Sequence, residues 1–199
     1  LSRRRDADLR PDLCQFRWLA AVSNHVQASA QEWLGSKAPP IDVFHNPVPP
    51  AFAGTATELP AGPLRFLFVG RLSPEKGVDV LVDAFRQTPG PQRLTVIGLS
   101  GSLAGRIRQA AAADPRIELH PAIPYSRMPE VYAAHHVVCC PVDWNEPFGL
   151  TVLEGRVTRR AVIGTRQGGL PEILEGYPRA HLLDPTTDRA QRVQTLAAA

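Results

Sequence analysis

Alternating strand-like and helix-like segments from Leu64 onward predict an α/β fold with a parallel sheet and helices on both faces. The strand-like runs are short, continuous and rich in β-branched residues, as strands buried on both faces require. The segments between them repeat apolar residues at helical spacing. Short loops marked by Gly and Pro join the two kinds.

Taken in order, Leu64 to Val69 is an apolar run ending at Gly70. Val78, Leu81, Val82 and Phe85 recur at i, i+3, i+4 and i+7, which is one face of a helix. Leu94 to Ile97 is the next strand, and the alanine-rich stretch from Leu103 to Ala113 is helical until Asp114-Pro115 stops it. Ile117 to Leu119 is a strand, Met128 to Ala134 a short helix and Val137 to Pro141 a strand. The helix around Glu154 follows, then a strand at Ala161 to Gly164, a short helix at Pro171 to Glu175 and a strand at Ala180 to Leu183. A last helix starts near Asp188 and is cut short by the chain end. Residues 64–199 therefore form one Rossmann-like domain, in which ligands bind at the carboxyl ends of the strands where their order reverses.

The beginning of the chain reads differently. Trp18 to Ser23 is strand-like, Val26 to Leu34 helical and Ile41 to Phe44 strand-like. One βαβ unit cannot bury both its faces alone, so residues 1–53 read as the remnant of another domain. Residues 54–63, rich in Pro, Gly, Ala and Thr, read as a linker.

Bulk properties narrow the partners. The 199-residue chain carries a net charge of only +3, and its arginines are dispersed rather than gathered on one face. That pattern argues against a nucleic-acid surface. No apolar stretch is long enough to span a bilayer, and Leu1-Ser-Arg-Arg-Arg-Asp6 lacks the apolar core of a signal peptide. The absence of an initiator Met suggests a segment of a longer chain. Cys139 and Cys140 are adjacent in an apolar run and read as buried thiols; with no metal-ligand spacing around the cysteines and histidines, a reducing, cytoplasmic location is expected.

Two motifs carry chemistry. In Glu146-Pro-Phe-Gly-Leu-Thr-Val-Leu-Glu154, a turn feeds a helix whose first N–H groups favour an anion. A carboxylate stands on each side, which suits a ligand with both phosphate and hydroxyls. The same nine residues also fit a surface helix with an acidic cap and one solvated glutamate. In Phe68-Val-Gly-Arg-Leu-Ser-Pro-Glu-Lys-Gly77, Gly70 ends a strand and permits a tight turn before Arg71 and Lys76. Two cations on a helix-opening loop suit a diphosphate: Arg71 through its planar fork, Lys76 as a compact charge. Lys37 and Lys76 are the only lysines in a chain that otherwise uses arginine.

These motifs, with Gly168-Gly-Leu-Pro-Glu172 after them, resemble the C-terminal, donor-binding half of a retaining glycosyltransferase of the GT-B fold, family 4. The resemblance runs from about Leu19 to Asp184 and also takes in Ala21-Val-Ser-Asn24 and His45-Asn-Pro-Val48. It implies an enzyme that moves a hexose from a UDP- or GDP-sugar to an acceptor hydroxyl with retention, in surface polysaccharide or glycoconjugate synthesis. Arg71 and Lys76 would hold and stabilise the departing diphosphate. The amides of Phe148, Gly149, Leu150 and Thr151 would hold phosphate and sugar. Glu146 would accept from sugar hydroxyls and Glu154 from the ribose, while the loop around Ile123 would meet the base. The resemblance further implies no metal and no cofactor beyond the donor, a carbohydrate or lipid-linked acceptor, and peripheral membrane contact through the domain that is mostly missing here.

Departures from the family pattern keep a second reading open, a non-catalytic or truncated nucleotide-sugar-binding module. The family continues its second glutamate as Glu-Ala-Met-Ala-x-Gly-x-Pro-Val, against Glu154-Gly-Arg-Val-Thr-Arg-Arg-Ala-Val162. Gly155 costs up to ~1 kcal/mol relative to alanine inside a helix. Arg159 or Arg160, with Ala161, replaces the usual Gly and Pro. Pro121 replaces a glycine near Ile123 and removes an N–H. Trp144 reads as a support for the Glu146 loop ahead of a lining for the sugar pocket, His135-His136 as structural or solvated, and Glu172 as fitting a helix start at least as well as a ligand contact.

Overall fold

The computed structural model describes residues 9–48, 50–52, 58–98, 100–186 and 188–199. The chain divides into two compact units, Leu1–Pro47 and Val48–Ala199. The division falls ahead of the expected boundary at residue 53, because Phe52 packs with the second unit. Residues 53–57 of the expected linker lie outside the described residues.

In the first unit, strands β1 (Leu19–Ala21) and β2 (Ile41–Val43) pair in parallel around helix α1 (Asn24–Leu34). A short helical stretch at 9–13 precedes them. Ser23 caps α1, its hydroxyl accepting from the Val26 N–H at 3.1 Å.

The second unit holds strands β3 (Arg65–Val69), β4 (Arg93–Ile97), β5 (Ile117–His120), β6 (Val137–Cys140), β7 (Ala161–Thr165) and β8 (Ala180–Leu183). They form one all-parallel sheet in the order β5-β4-β3-β6-β7-β8. Helices α2 (Val78–Gln87), α3 (Ala104–Ala113), α4 (Met128–Ala133), α5 (Leu150–Val157), α6 (Leu170–Leu174) and α7 (Arg189–Ala198) connect and flank it. The expected α/β class is the observed one, with each strand and helix read from the sequence present to within a few residues.

The reason lies in burial. Leu67, Leu94, Val96, Val138 and Val162 in the strands are shut off from solvent, and all four residues of β6 are buried. Burial pushes the Cys139 and Cys140 thiols up to about 12, as inert core residues. The helical face read at Val78, Leu81, Val82 and Phe85 is buried in the same core. Arg189 at the start of α7 pairs with Asp79 at 3.1 Å and Asp83 at 2.5 Å, and Arg106 of α3 reaches Asp83 at 2.7 Å. Both helices are thereby tied to α2.

Strand order reverses between β3 and β6, since β4 and β5 extend the sheet one way and β7 and β8 the other. A crevice opens at such a switch point, beyond the carboxyl ends of the two strands. The loops entering it are Gly70–Gly77 after β3 and Pro141–Gly149 after β6.

Candidate functional site

These two loops are stitched together. The Asp143 N–H donates to the Glu75 carbonyl at 2.9 Å. A Cβ on Gly77 would stand 1.9 Å from the Pro141 carbonyl oxygen, so glycine is required at that approach. Gly70 ends β3 at a bend, as expected, but has no positive φ, and a Cβ there would meet only the Phe68 ring at 3.5 Å.

Across the stitched loops, the Lys76 ammonium donates to Glu146 Oε2 at 2.5 Å, both side chains being largely buried. Trp144 Nε1 donates to the same oxygen at 3.0 Å, and the Lys76 ammonium lies 4.8 Å from the Trp144 ring centroid. Trp144 thus supports the loop, as its position in the sequence suggests, and adds a cation–π contact. Arg71, expected beside Lys76, lies in the same loop but is exposed and pairs with Glu75 at 3.2 Å. The Ser73 hydroxyl donates to Glu75 at 2.6 Å and, ahead of the Arg71 and Lys76 charges, holds that carboxyl below its usual value.

A second glycine fixes the height of Glu146. Gly168 has φ +61°, and a Cβ there would come within 2.2 Å of the Glu146 carbonyl oxygen. The Gly169 N–H donates to that oxygen at 2.7 Å. Gly168-Gly169 therefore acts on the site through the backbone of Glu146. Glu172 lies in the first turn of α6.

Helix α5 begins after Gly149. Phe148 is buried, Leu150 is exposed and Thr151, in the first turn, is half-buried. The Val152 and Leu153 N–H groups donate to the Gly149 carbonyl at 3.0 and 3.1 Å, and the N–H groups ahead of them have no carbonyl of the helix to reach, which makes this end favourable to an anion.

Glu154, one turn further, is 4% exposed, which rules out the solvated-glutamate reading. Its two oxygens accept from two tyrosines: Oε1 from Tyr125 at 2.7 Å and Oε2 from Tyr132 at 2.6 Å. Burial raises the Glu154 pKa and the two tyrosine bonds oppose that rise. Burial, then the carboxylate, raises both tyrosines in turn. Sequence reasoning missed both. Neither belongs to a motif, and in the loop between β5 and α4 the sequence marks only Pro121 and the half-buried Ile123.

Gly155 has a packing role. A Cβ there would lie 3.1 Å from Val162 Cγ2 and 3.2 Å from Val138 Cγ2, so glycine lets α5 settle closely onto β6 and β7. At the exit of α5, Arg159 takes φ +60° at the place where the family pattern carries glycine. Arg160 is fully buried and donates to the carbonyls of Thr158 at 2.8 Å, Glu58 at 3.3 Å and His135 at 3.3 Å.

His135 and His136 are structural. His135 bridges the Val131 carbonyl at 2.6 Å and the Thr95 hydroxyl at 2.9 Å, and His136 binds the Pro60 carbonyl at 2.8 Å. Among the described residues no group of three or more His, Cys, Asp or Glu is placed to hold a metal ion, and no helix is long and apolar enough to cross a membrane.

A parallel sheet with two loops joined at its switch point, a Lys–Glu pair between them and a helix N-terminus beside it is the arrangement of an α/β ligand-binding domain. Residues 55–197 match the family described as glycosyl transferases group 1, and the chain belongs to that family. It is 33% identical over 145 residues to the D-inositol 3-phosphate glycosyltransferase of Xylanimonas cellulosilytica, covering 67% of this chain and 34% of that protein. It is 34% identical over 154 residues to the enzyme of the same name from Mycobacteroides abscessus, covering 73% and 34%. The chain thus spans about a third of the length of these relatives. Sucrose-phosphate synthase from Thermosynechococcus elongatus superposes with a TM-score of 0.76 at 23% identity, covering 98% of this chain and 55% of that one. Anabaena Alr3699/HepE in complex with UDP superposes with a TM-score of 0.73 at 20% identity, covering 100% and 63%. These two likenesses concern the fold.

Proposed function

We propose that residues 64–199 form the donor-binding half of a retaining, family 4 glycosyltransferase, which moves a hexose from a UDP- or GDP-sugar to an acceptor hydroxyl. The observation that carries this reading is the Lys76–Glu146 pair, set across the switch point beside the start of α5. A diphosphate arriving there brings two to three negative charges to Lys76, Arg71 and the first amides of α5. Lys76 is then shared between Glu146 and phosphate. Glu146, held from below by Trp144 and Gly168-Gly169, accepts from hydroxyls of the donor sugar. Glu154 takes the ribose, and the Ile123 loop takes the base.

During transfer, positive charge grows at the anomeric carbon and negative charge on the leaving phosphate. Cations fixed at the phosphate act where the second charge develops. The acceptor is proposed to be a carbohydrate or lipid-linked polyol bound largely by the other domain, in glycoconjugate or polysaccharide synthesis, at the cytoplasmic side. No metal is assigned a role in this reading.

Calorimetric titration of the chain with UDP, GDP and ADP tests the proposal. Binding of at least one is expected. Substituting Lys76→Ala should weaken it by about ten- to a hundredfold, the worth of a charge-assisted hydrogen bond to phosphate. Unchanged affinity in Lys76→Ala would place the diphosphate elsewhere.

A further inference from the structure

Glu154 presents an asymmetric carboxylate. The donor on Oε2, Tyr132, is fully buried and rests against Phe52 at 5.5 Å between ring centroids. The donor on Oε1, Tyr125, is 47% exposed and sits on a 3₁₀ turn, Tyr125–Arg127, with its ring 5.9 Å from Phe52. Tyr132 has no path to solvent. Tyr125 needs only a side-chain rotation to leave.

We infer that Tyr125 is a specificity-determining positioning residue: its hydroxyl stands in for one ribose hydroxyl on Glu154 Oε1 and yields that oxygen when a nucleotide binds. This rests on the donor-site reading above and adds two claims to it. Glu154 takes one ribose hydroxyl on Oε1, the oxygen that Tyr125 vacates, while Oε2 keeps its bond to the buried Tyr132. Moreover, the site tolerates loss of that hydroxyl, because Tyr125 swings back and satisfies the buried oxygen when the ligand does not. A buried carboxylate oxygen with no donor is costly, and the cost is avoided either way. The returning hydroxyl therefore flattens discrimination between ribose and deoxyribose, at the expense of affinity for the ribonucleotide.

The test measures affinities of the 199-residue chain for UDP and GDP, and for the 2′-deoxy and 3′-deoxy forms of whichever binds more tightly. In the wild-type chain, both deoxy forms should bind within about threefold of the ribonucleotide. In Tyr125→Phe the ribonucleotide should bind about three- to tenfold more tightly, since no hydroxyl has to be displaced. One deoxy form, and only one, should then fall about tenfold behind it, as expected for a buried oxygen left without its donor. A merely packing role for Tyr125 would leave that ratio where it was. Equal weakening of all ligands in Tyr125→Phe, or an unchanged deoxy-to-ribo ratio, overturns the inference. Glu154→Gln separates the two levels: if it leaves every affinity unchanged, or if the wild-type chain binds neither nucleotide, the donor-site reading itself falls. If Glu154→Gln weakens binding while Tyr125→Phe behaves as wild type, only the role of Tyr125 falls.

Discussion

Lys76 and Glu146 lie seventy residues apart in sequence and meet at 2.5 Å, each the other's counter-ion across the point where strand order reverses. The pairing changes what each residue can do. An isolated lysine there would attract any anion; one already paired with Glu146 can take a further anion only by sharing. Glu146 in turn is held in place before any sugar arrives, with Trp144 fixing the same oxygen. Orientation of the carboxylate is thus achieved in the fold rather than in the complex.

Removing the carboxylate charge should separate the two roles. Glu146→Gln frees the full Lys76 charge, so affinity for UDP or GDP alone should hold or rise by a few-fold, about the worth of one weakened ion pair. Affinity for the corresponding nucleotide sugar should not rise with it, because the acceptor for sugar hydroxyls is impaired. Parallel titrations with nucleotide and nucleotide sugar measure the difference. An equal gain for both ligands would show that Glu146 makes no use of the sugar.

Arg159 stores strain that a single change should release. It holds φ +60°, a region that costs a side-chain-bearing residue about 1–2 kcal/mol. Its carbonyl accepts from Arg179 at 2.7 Å, a bond that any residue at the position would keep. Arg159→Gly should stabilise the domain by about 0.5–1 kcal/mol after the greater freedom of glycine in the unfolded chain is subtracted. Urea unfolding curves of the two proteins decide it, and a less stable variant would mean that the arginine side chain outweighs the strain.

The fold was largely legible because its signals are local. The Val78, Leu81, Val82, Phe85 stripe and the unbroken apolar run at Val137–Cys140 announce their burial within a few residues. The site was legible as two loops but not as a geometry. Nothing near Lys76 names Glu146 as its partner, and nothing near Glu154 names Tyr125 or Tyr132. Those pairs are set by sheet order, which no local periodicity encodes. Gly155 was misjudged for a related reason: its cost is local to the helix, whereas its benefit, close approach to Val138 and Val162, is tertiary. The need for glycine at position 77 is likewise tertiary, since only the fold brings it against the Pro141 carbonyl.

The Tyr132 bond to Glu154 should show a pH signature. Burial raises the Glu154 pKa above its ordinary 4.5, so between that value and the folded one the native state holds more protons than the unfolded state. Its share of stability is therefore fully present below 4.5 and is lost as pH rises through the folded value. Tyr132→Phe removes a donor that favours the charged form and pushes the folded value higher still. The variant should lose about 1–3 kcal/mol at pH ~7 and less near pH ~4.5, where a protonated Glu154 needs the donor less. Urea titrations at the two values check the sign, and a loss independent of pH would reduce Tyr132 to a packing residue.

His135 should act in the opposite sense. The Val131 carbonyl can only accept, so the bond at 2.6 Å places the ring proton on Nδ1, and Nε2 accepts from the Thr95 hydroxyl at 2.9 Å. Burial, the largest influence, lowers the His135 pKa from 6.5, and the Val131 bond opposes it only in part. The neutral ring is therefore the native form, and the unfolded chain binds the extra proton first. Stability from this group is fully present above 6.5 and is lost as pH falls through the lower folded value. Protonation would also force the Thr95 hydroxyl to turn from donor to acceptor. His135→Asn should be less stable than wild type by about 1–3 kcal/mol near pH ~7.5, because the Thr95 and Val131 groups lose part of their pairing. The gap should narrow near pH ~5.5, since the variant has no proton to take up at this position. Chemical denaturation of both proteins at the two pH values measures it; a gap that stays constant would mean that His135 packs without titrating in this range.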